Sequence, residues 1–300
     1  MKNKTDSTND AGSTKLEKKI ITCRLGQELV YYTSGNGPTL VLITGYGVDV
    51  KTMDKLVNFF SETYKVVTWE CRGISEQLFI DSSHEPNFSM DNHSHDLKEI
   101  LDNESSTEVD IIAWSSGPKV ALNFNYNYPS YVRSFSFIAG NFTPLQGYEN
   151  LFTEWDTQFE KIARAAIKKQ GLANLLAKNL AKSIEDKSID NLYGDLSEEY
   201  YKIIFGKRTN GKAFSNYCNT IIEHFEHDIS KYVAHVDIPT FFISAKHDKV
   251  SHPKQSEIMA KRIRGSQHHC FADSNHWLVM EEGEKVAKII EQFLETRTND

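Results

Sequence analysis

Short apolar runs alternate along the chain with segments in which apolar residues recur at helical spacing. The runs are rich in β-branched and aromatic side chains, which is typical of buried strands; they lie at 39–44, 64–69, 109–114 and 132–139. The helical segments between them lie at 52–63, 92–101 and 116–127. Because strands that alternate with helices form parallel βαβ units, the pattern predicts an α/β fold with a mostly parallel central sheet flanked by helices.

The pattern changes over 142–235, where charged amphipathic segments replace the buried strands. Thr153 is a typical helix N-cap with Asp156 three residues later, and Trp155 begins a series of apolar residues at helical spacing. Residues 1–17 are polar and have almost no apolar content. We therefore expect a disordered tail over 1–17, a core domain over 18–141 and 236–300, and a helical cap over 142–235.

The segment from Val109 to Leu122 has the most informative chemistry. An apolar run ends in Ala113-Trp114-Ser115-Ser116-Gly117, and a helical pattern starts directly afterwards. A serine on such a strand-to-helix corner projects its hydroxyl above the sheet, provided that small residues lie two before and two after it. Ala113 and Gly117 meet that requirement for Ser115. Trp114 and Pro118 exclude the same arrangement around Ser116, so Ser115 is the predicted nucleophile.

A serine hydroxyl needs a base, and the base needs a group that orients it. An apolar run that starts at Pro239 ends in a loop with Asp248, and a short predicted strand near 267 ends in a loop with His276. The order Ser, Asp, His along the chain suits this architecture. Three other histidines compete as bases, and we expect each to be structural or exposed: His247, His268 and His269. We expect Asp273 to be a poor orienter of the His276 ring. The loop after the predicted strand at 132–139 is another place for the acid, but Asn141 in that loop has no carboxylate.

Five segments, taken in their order along the chain, resemble segments of the α/β-hydrolase superfamily, and the resemblance extends over about residues 20 to 296. Leu40 to Gly47 is similar to the loop after the third strand, and Trp69 to Ser75 is similar to the segment after the fourth. The strand-to-helix corner at Ser115 (the elbow), the Asp248 loop and the His276 loop complete the match. The chain departs from the family at Thr44, in place of a histidine, and at Ala113, in place of a glycine. Neither change removes a catalytic side chain.

The resemblance implies a mechanism in which His276 takes the proton of Ser115 while Asp248 holds the imidazole. The backbone N–H groups of Tyr46 and Ser116 would form the oxyanion hole. The site would need no metal and no cofactor. Aromatic residues of the predicted cap, such as Trp155, pack within the cap or line an acyl pocket, and the sequence does not decide between these roles.

The leading hypothesis is a serine hydrolase that acts on an ester or thioester of a small or medium acyl group. An acyltransferase or a C–C hydrolase would use the same triad, and a non-catalytic ligand-binding homologue would keep the fold without turnover. The expected partner is a small-molecule acyl substrate. An acyl-carrier protein is a further candidate partner.

Composition narrows the partners and the compartment. The chain has 300 residues, of which 34 are Lys or Arg and 41 are Asp or Glu, and its formal charge is −7. This charge argues against nucleic acid or an anionic membrane as the main partner. No apolar run is long enough for a membrane span. The four cysteines have no metal-site or paired spacing, so we expect buried free thiols, a reducing compartment and a cytoplasmic location.

Overall fold

A computed structural model describes residues 16–24, 26–72, 87–169, 171–186 and 196–297. The strands form one eight-stranded sheet in the order β1-β2-β4-β3-β5-β6-β7-β8. Their bounds are β1 Glu17–Thr22, β2 Glu28–Ser34, β3 Thr39–Ile43, β4 Lys65–Trp69, β5 Val109–Trp114, β6 Val132–Ile138, β7 Thr240–Ala245 and β8 Gln267–Phe271. Only the β1–β2 and β2–β4 pairings are antiparallel, so the expected mostly parallel sheet is confirmed.

Helices lie on both faces of the sheet, against two hydrophobic clusters of buried residues. The core helices are α1 Asp54–Phe60, α2 Met90–Asn103, α3 Gly117–Asn127, α9 Pro253–Arg262, α10 Leu278–Glu281 and α11 Gly283–Arg297. Between β6 and β7, the described residues form five more helices: α4 Glu154–Lys168, α5 Leu172–Glu185, α6 Glu198–Phe205, α7 Gly211–Glu226 and α8 Ser230–Val233. Short 3-10 helices are found at Val50–Met53, Pro129–Tyr131, Glu149–Leu151 and Gly206–Arg208. The predicted helical insertion between two strands is therefore present.

Local sequence explains where several elements begin. Thr153 and Asp156 form the expected capping box at the start of α4, with each side chain accepting from the other residue's backbone N–H. The helix predicted over 52–63 is shorter than expected, because its first turn is the 3-10 helix Val50–Met53 and α1 ends at Phe60. The predicted tail over 1–17 lies outside the described residues up to residue 15, and Glu17 begins β1.

The helical insertion (residues 142–235) is joined to the core by buried polar contacts. Lys119 of α3 is fully buried, and its ammonium donates to the carbonyls of Thr143 at 2.5 Å and His224 at 2.6 Å. The Thr153 hydroxyl donates to the carbonyl of Val250, in the loop after β7, at 3.0 Å. These contacts connect both ends of the insertion to α3 and to the loop after β7.

The cysteines are free in the described structure, as expected, but they are not all buried. Cys23, Cys71 and Cys218 are buried, whereas Cys270 is exposed. The expectation fails at Cys270 because β8 is the last strand of the sheet and most of its residues face solvent. Among the described residues, no helix is long and apolar enough to cross a membrane, and no cluster of His, Cys, Asp and Glu side chains could hold a metal ion.

Glu104, at the C-terminal end of α2, joins three strands through its carboxylate. It accepts from Lys19 of β1 at 3.1 Å and from the Tyr31 hydroxyl of β2 at 2.6 Å, and it pairs with Lys65 of β4 at 2.5 Å. Burial alone would raise the pKa of Glu104. The hydrogen bonds from Lys65, Tyr31 and Lys19 outweigh burial and lower the pKa to about 2.

We predict that Glu104→Gln lowers the free energy of unfolding at pH 7 by about 2 kcal/mol. Because the pKa of Glu104 is lower in the folded than in the unfolded chain, its stabilisation is complete above the unfolded value and is lost as the pH falls toward 2. The difference between parent and variant, measured by urea denaturation, should therefore shrink between pH 5 and pH 3. A difference that stays constant over this range would contradict the assignment.

Candidate active site

Ser115 lies on the corner between β5 and α3, with a backbone φ of +60°. Its N–H donates to the Ile138 carbonyl at 3.0 Å, and its own carbonyl accepts from the Asn141 N–H at 2.7 Å. Both partners belong to β6 or to the loop after it. The left-handed backbone is unfavourable for a residue with a side chain, so these bonds to the neighbouring strand hold the corner in place.

Two glycines allow the backbone to approach this corner. A Cβ on Gly117 would lie 2.8 Å from the Ile43 carbonyl and 3.0 Å from the Thr44 carbonyl, both at the end of β3. A Cβ on Gly45 would lie 3.1 Å from the Ser115 Cβ. Gly117, one of the two small residues that identified the corner in the sequence, therefore has a structural reason: α3 begins against the end of β3.

The three predicted triad residues form one chain of hydrogen bonds. The Ser115 hydroxyl lies 3.0 Å from His276 Nε2, and His276 Nδ1 lies 2.8 Å from Asp248 Oδ2. The other carboxylate oxygen of Asp248 accepts from the N–H groups of Val250 and Ser251, both at 2.8 Å. Both oxygens of Asp248 are thus occupied, and the imidazole is oriented toward the serine. This arrangement can remove a proton from the Ser115 hydroxyl.

Two tryptophans hold the imidazole from the sides. The Trp114 indole N–H donates to the His276 carbonyl at 3.1 Å, and its ring centroid lies 5.3 Å from the imidazole. The Trp277 ring meets the imidazole edge-on at 5.1 Å. Sequence analysis did not single out Trp277, although it directly follows His276. His276 is only 2% exposed, so its ring is largely shielded from bulk water.

The loop after β3 lies beside Ser115, as expected, but one of the two predicted oxyanion donors has a partner. The Tyr46 N–H donates to the Ser116 hydroxyl oxygen at 2.8 Å. The Tyr46 side chain is buried, and its hydroxyl points to Met90 Sδ at 3.0 Å. Burial, with the charges of Cys71 and Glu223, raises the pKa of Tyr46 well above its usual value. The phenol is therefore neutral.

Neither of the two buried histidines around Tyr46 is a candidate base. His93 stacks on the Tyr46 ring at 5.5 Å, and His224 meets it edge-on at 5.9 Å. Burial, with the charge of Arg72, lowers the pKa of His93 to about 3. Burial, with the charge of Lys119, lowers the pKa of His224 well below its usual value. Both histidines are neutral at physiological pH, and neither contacts Ser115.

The rival residues considered from the sequence lie elsewhere. His268 and His269 are on β8, where His268 lies 2.9 Å from the Ser244 hydroxyl. His247 and Asp273 are exposed. Arg72 has a structural role, because it donates to Gln27 at 3.1 Å and pairs with Asp96. The adjoining residues 73–75 of the same motif lie outside the described residues.

A pocket of about 430 Å³, measured with its open mouth, lies above Ser115 and His276. The core lines it with the loop after β3, the elbow and the two tryptophans. The helical insertion lines it with Trp155, Ile204, Phe205, Arg208, Tyr217 and Ile221. Trp155, the aromatic residue that the sequence left undecided, therefore reaches the pocket, as do Phe205 and Tyr217. Tyr193, another aromatic residue of the predicted cap, lies outside the described residues.

Arg208 is the charged pocket residue that sequence analysis missed. It ends the 3-10 helix after α6, is 5% exposed, and has its guanidinium 4.8 Å from the Phe205 ring centroid and 4.6 Å from that of Tyr217. Nothing in the sequence distinguishes it from the neighbouring Lys207, because its position depends on how the insertion folds over the core.

Comparison with known proteins adds a family and several relatives. Residues 30–283 match the family described as the alpha/beta hydrolase fold. The chain is 24% identical to 3-oxoadipate enol-lactonase 1 of Acinetobacter baylyi, over 94% of this chain and 99% of that protein. It is 21% identical to a 2-hydroxy-6-oxononadienedioate/2-hydroxy-6-oxononatrienedioate hydrolase of Klebsiella pneumoniae, over 95% and 93%. A solved esterase of Exiguobacterium antarcticum superposes with a TM-score of 0.76 at 16% identity, over 93% and 100%.

We predict that Ser115→Gly is more stable than Ser115→Ala by about 0.5–1 kcal/mol. Both variants lack the hydroxyl, but only glycine adopts a φ near +60° without strain. The strain energy that glycine avoids exceeds the cost of its larger loss of backbone entropy on folding. The comparison is made by urea denaturation. Ser61 has a φ of −66°, so the same pair of replacements there should show the opposite order. An alanine variant at 115 that is equally or more stable would mean that the corner is unstrained.

Proposed function

Because this chain belongs to the α/β-hydrolase family, we propose that it is a serine hydrolase that cleaves an ester of a small or medium acyl substrate through an acyl-enzyme. One observation carries the proposal: the unbroken chain of hydrogen bonds from Ser115 through His276 to Asp248, beneath a pocket. A serine, an imidazole and a carboxylate in this order supply the nucleophile, the base and the orienting group of acyl transfer.

In the proposed reaction, His276 takes the Ser115 proton through Nε2 as the serine oxygen attacks the acyl carbon. Asp248 fixes the proton on Nδ1 and stabilises the imidazolium that forms. His276 then gives the proton to the leaving alcohol. A water molecule, deprotonated by His276, then attacks the acyl-enzyme; the bond to the Ser115 oxygen breaks, His276 returns the proton to that oxygen, and the acid is released. The two tryptophans beside His276 keep the imidazole aligned through both steps.

The proposed oxyanion hole uses the backbone N–H groups of Ser116 and Tyr46. One such donor is typically worth about 10²–10³ in rate. The Tyr46 N–H is bonded to the Ser116 hydroxyl at 2.8 Å, so this hydroxyl must rotate away when the negative oxygen forms. Rotation about one side-chain bond is sufficient, because Ser116 opens α3 and its hydroxyl makes no cap bond there.

Two relatives bear on the class of substrate. One is named as an enol-lactonase, and a lactone is a cyclic ester; both names, oxoadipate and dienedioate, denote derivatives of dicarboxylic acids. We therefore favour cleavage of an oxygen ester, cyclic or open. Cleavage of a thioester by the same triad is the alternative. The comparisons do not support an acyl-carrier protein as a partner, so the proposed partner is a small molecule. The cytoplasmic location stays a prediction.

A second candidate reaction is hydrolysis of a C–C bond next to a carbonyl group. The match to the dienedioate hydrolase, over 95% of this chain, favours it over acyl transfer to another acceptor. Assays with an enol-lactone and with a 2-hydroxy-6-oxo-dienoate of the same length would separate the two reactions, because only the second requires cleavage between carbon atoms.

We predict that Ser115→Ala, His276→Ala and Asp248→Asn each lower kcat on p-nitrophenyl butyrate by about 10⁴-fold or more. Matched controls come from the rival residues: His268→Ala and Asp273→Asn should stay within about threefold of the parent, since neither side chain contacts Ser115 or His276. Thermal denaturation checks that each variant is folded. Activity within tenfold of the parent in folded Ser115→Ala would refute the nucleophile assignment.

We predict that Ser116→Ala keeps kcat/KM within about threefold of the parent or raises it. The replacement removes the hydroxyl that competes for the Tyr46 N–H and leaves both backbone donors in place. Steady-state kinetics and the affinity for a boronic acid that mimics the tetrahedral intermediate provide the measurement. A loss near 100-fold in both would show instead that the Ser116 hydroxyl itself donates to the oxyanion.

A further inference from the structure

Arg208 differs from the other buried cations in the described part of the chain. These cations are Arg72, Lys119 and Arg208, each no more than 5% exposed. Arg72 pairs with Asp96, and the Lys119 ammonium has carbonyl acceptors in Thr143, His224 and His227. The Arg208 guanidinium donates through Nη2 to the Ile204 carbonyl at 2.8 Å, and its Nε, like that of Arg72, has no partner. Unlike Arg72 and Lys119, Arg208 lines the pocket above Ser115. No carboxylate of the described residues forms an ion pair with it.

The neighbouring cation shows that this is a local feature of Arg208. Lys207 precedes it in the same 3-10 helix, and its ammonium lies 3.1 Å from Glu70 and 3.4 Å from Asp49. Carboxylates of the core therefore neutralise the charge of Lys207, whereas the charge of Arg208 faces the pocket. No pocket-lining residue within the described ranges is acidic. An arginine stays protonated at physiological pH, and a buried charge without a counter-charge is costly.

Arg208 and Ser115 both line the pocket and lie close to the same short loop. A Cβ on Gly45 would lie 3.3 Å from the Ser115 Oγ, and a Cβ on Gly47 would lie 3.0 Å from the Arg208 Cδ. The Cα atoms of these two glycines are at most about 7 Å apart, because only Tyr46 lies between them in the chain. A ligand in this pocket can therefore contact the nucleophile at one end and the guanidinium at the other.

From this geometry we infer that Arg208 binds a carboxylate at the far end of the substrate's acyl group. The inference rests on the proposed function and narrows it: the substrate is an ester or lactone of a dicarboxylic acid, with one carboxyl group in the scissile bond and the other free. The planar guanidinium can donate two parallel hydrogen bonds to a carboxylate, and it packs against the rings of Phe205 and Tyr217. The free carboxylate supplies the counter-charge that the described protein residues do not.

Arg208 would have only a structural role if its stacking on Phe205 and Tyr217 merely held the insertion together. The two roles differ in what removal of the charge does. A structural arginine supports every substrate equally, whereas a binding arginine acts only on substrates with the anionic group. The test is therefore a ratio of two substrates and not a single rate.

The experiment compares mono-p-nitrophenyl glutarate, which has a free carboxylate, with its neutral methyl ester, and repeats the pair for succinate and adipate. We expect the parent protein to prefer the anionic ester at one or more chain lengths by at least about tenfold in kcat/KM. Arg208→Gln should lower kcat/KM by about 100-fold for that anionic ester and by less than about threefold for its neutral partner. Arg208→Lys should be intermediate, because it keeps the charge and loses the fork. Lys207→Gln is the matched control and should leave the ratio unchanged, because Lys207 pairs with Glu70 and Asp49.

Two results would overturn the inference. One is a parent protein that prefers the neutral ester at every chain length, a result that does not depend on whether any variant folds. The other is equal loss on both esters in Arg208→Gln, which would assign Arg208 to packing. Labelling with a fluorophosphonate separates this failure from failure of the proposed function. Stoichiometric labelling of Ser115 in parent and Arg208→Gln proteins would preserve the hydrolase assignment, whereas no labelling of the parent would reject it.

Discussion

The close approach of α3 to the end of β3 is the constraint on which the site depends. It needs Gly117, because a Cβ at this position would lie only 2.8 Å from the Ile43 carbonyl. It also puts Ser115 into a left-handed backbone conformation, which bonds to Ile138 and Asn141 maintain. Contacts with the surrounding sheet stabilise this strained backbone conformation. The Ser115 hydroxyl consequently lies at the carboxyl ends of the parallel strands, where the loops with Asp248 and His276 meet it.

The helical insertion completes the site from the other side, and polar contacts fix its position. Lys119, two residues after the start of α3, donates to carbonyls near both ends of the insertion. The N-cap residue Thr153 donates to Val250, whose own N–H donates to Asp248. The same short segments thus position the carboxylate of the triad and the first helix of the insertion. Displacement of the insertion would therefore disturb Asp248 as well as the pocket wall.

Much of this could be predicted from the sequence, because the signals are local. The alternation of strands and helices gave the fold class, and the spacing of Ala113 and Gly117 about Ser115 identified the corner. Asp248 and His276 each follow a strand, and parallel strands bring their carboxyl ends to one edge. What could not be predicted involves residues distant in sequence: the bond from the Tyr46 N–H to Ser116, the contact of Trp114 with His276, and Arg208 without a carboxylate partner in the described structure. The exposure of Cys270 likewise depends on β8 being the last strand.

The central claim is that Ser115, and no other serine, is an activated nucleophile. Intact-protein mass spectrometry after treatment with an alkyl fluorophosphonate, followed by peptide mapping, tests it most directly. The account predicts one phosphonyl group per chain, on the Ser115 oxygen and formed with loss of fluoride, and none on folded His276→Ala. An unmodified parent protein, or an adduct that maps to another residue, would contradict it.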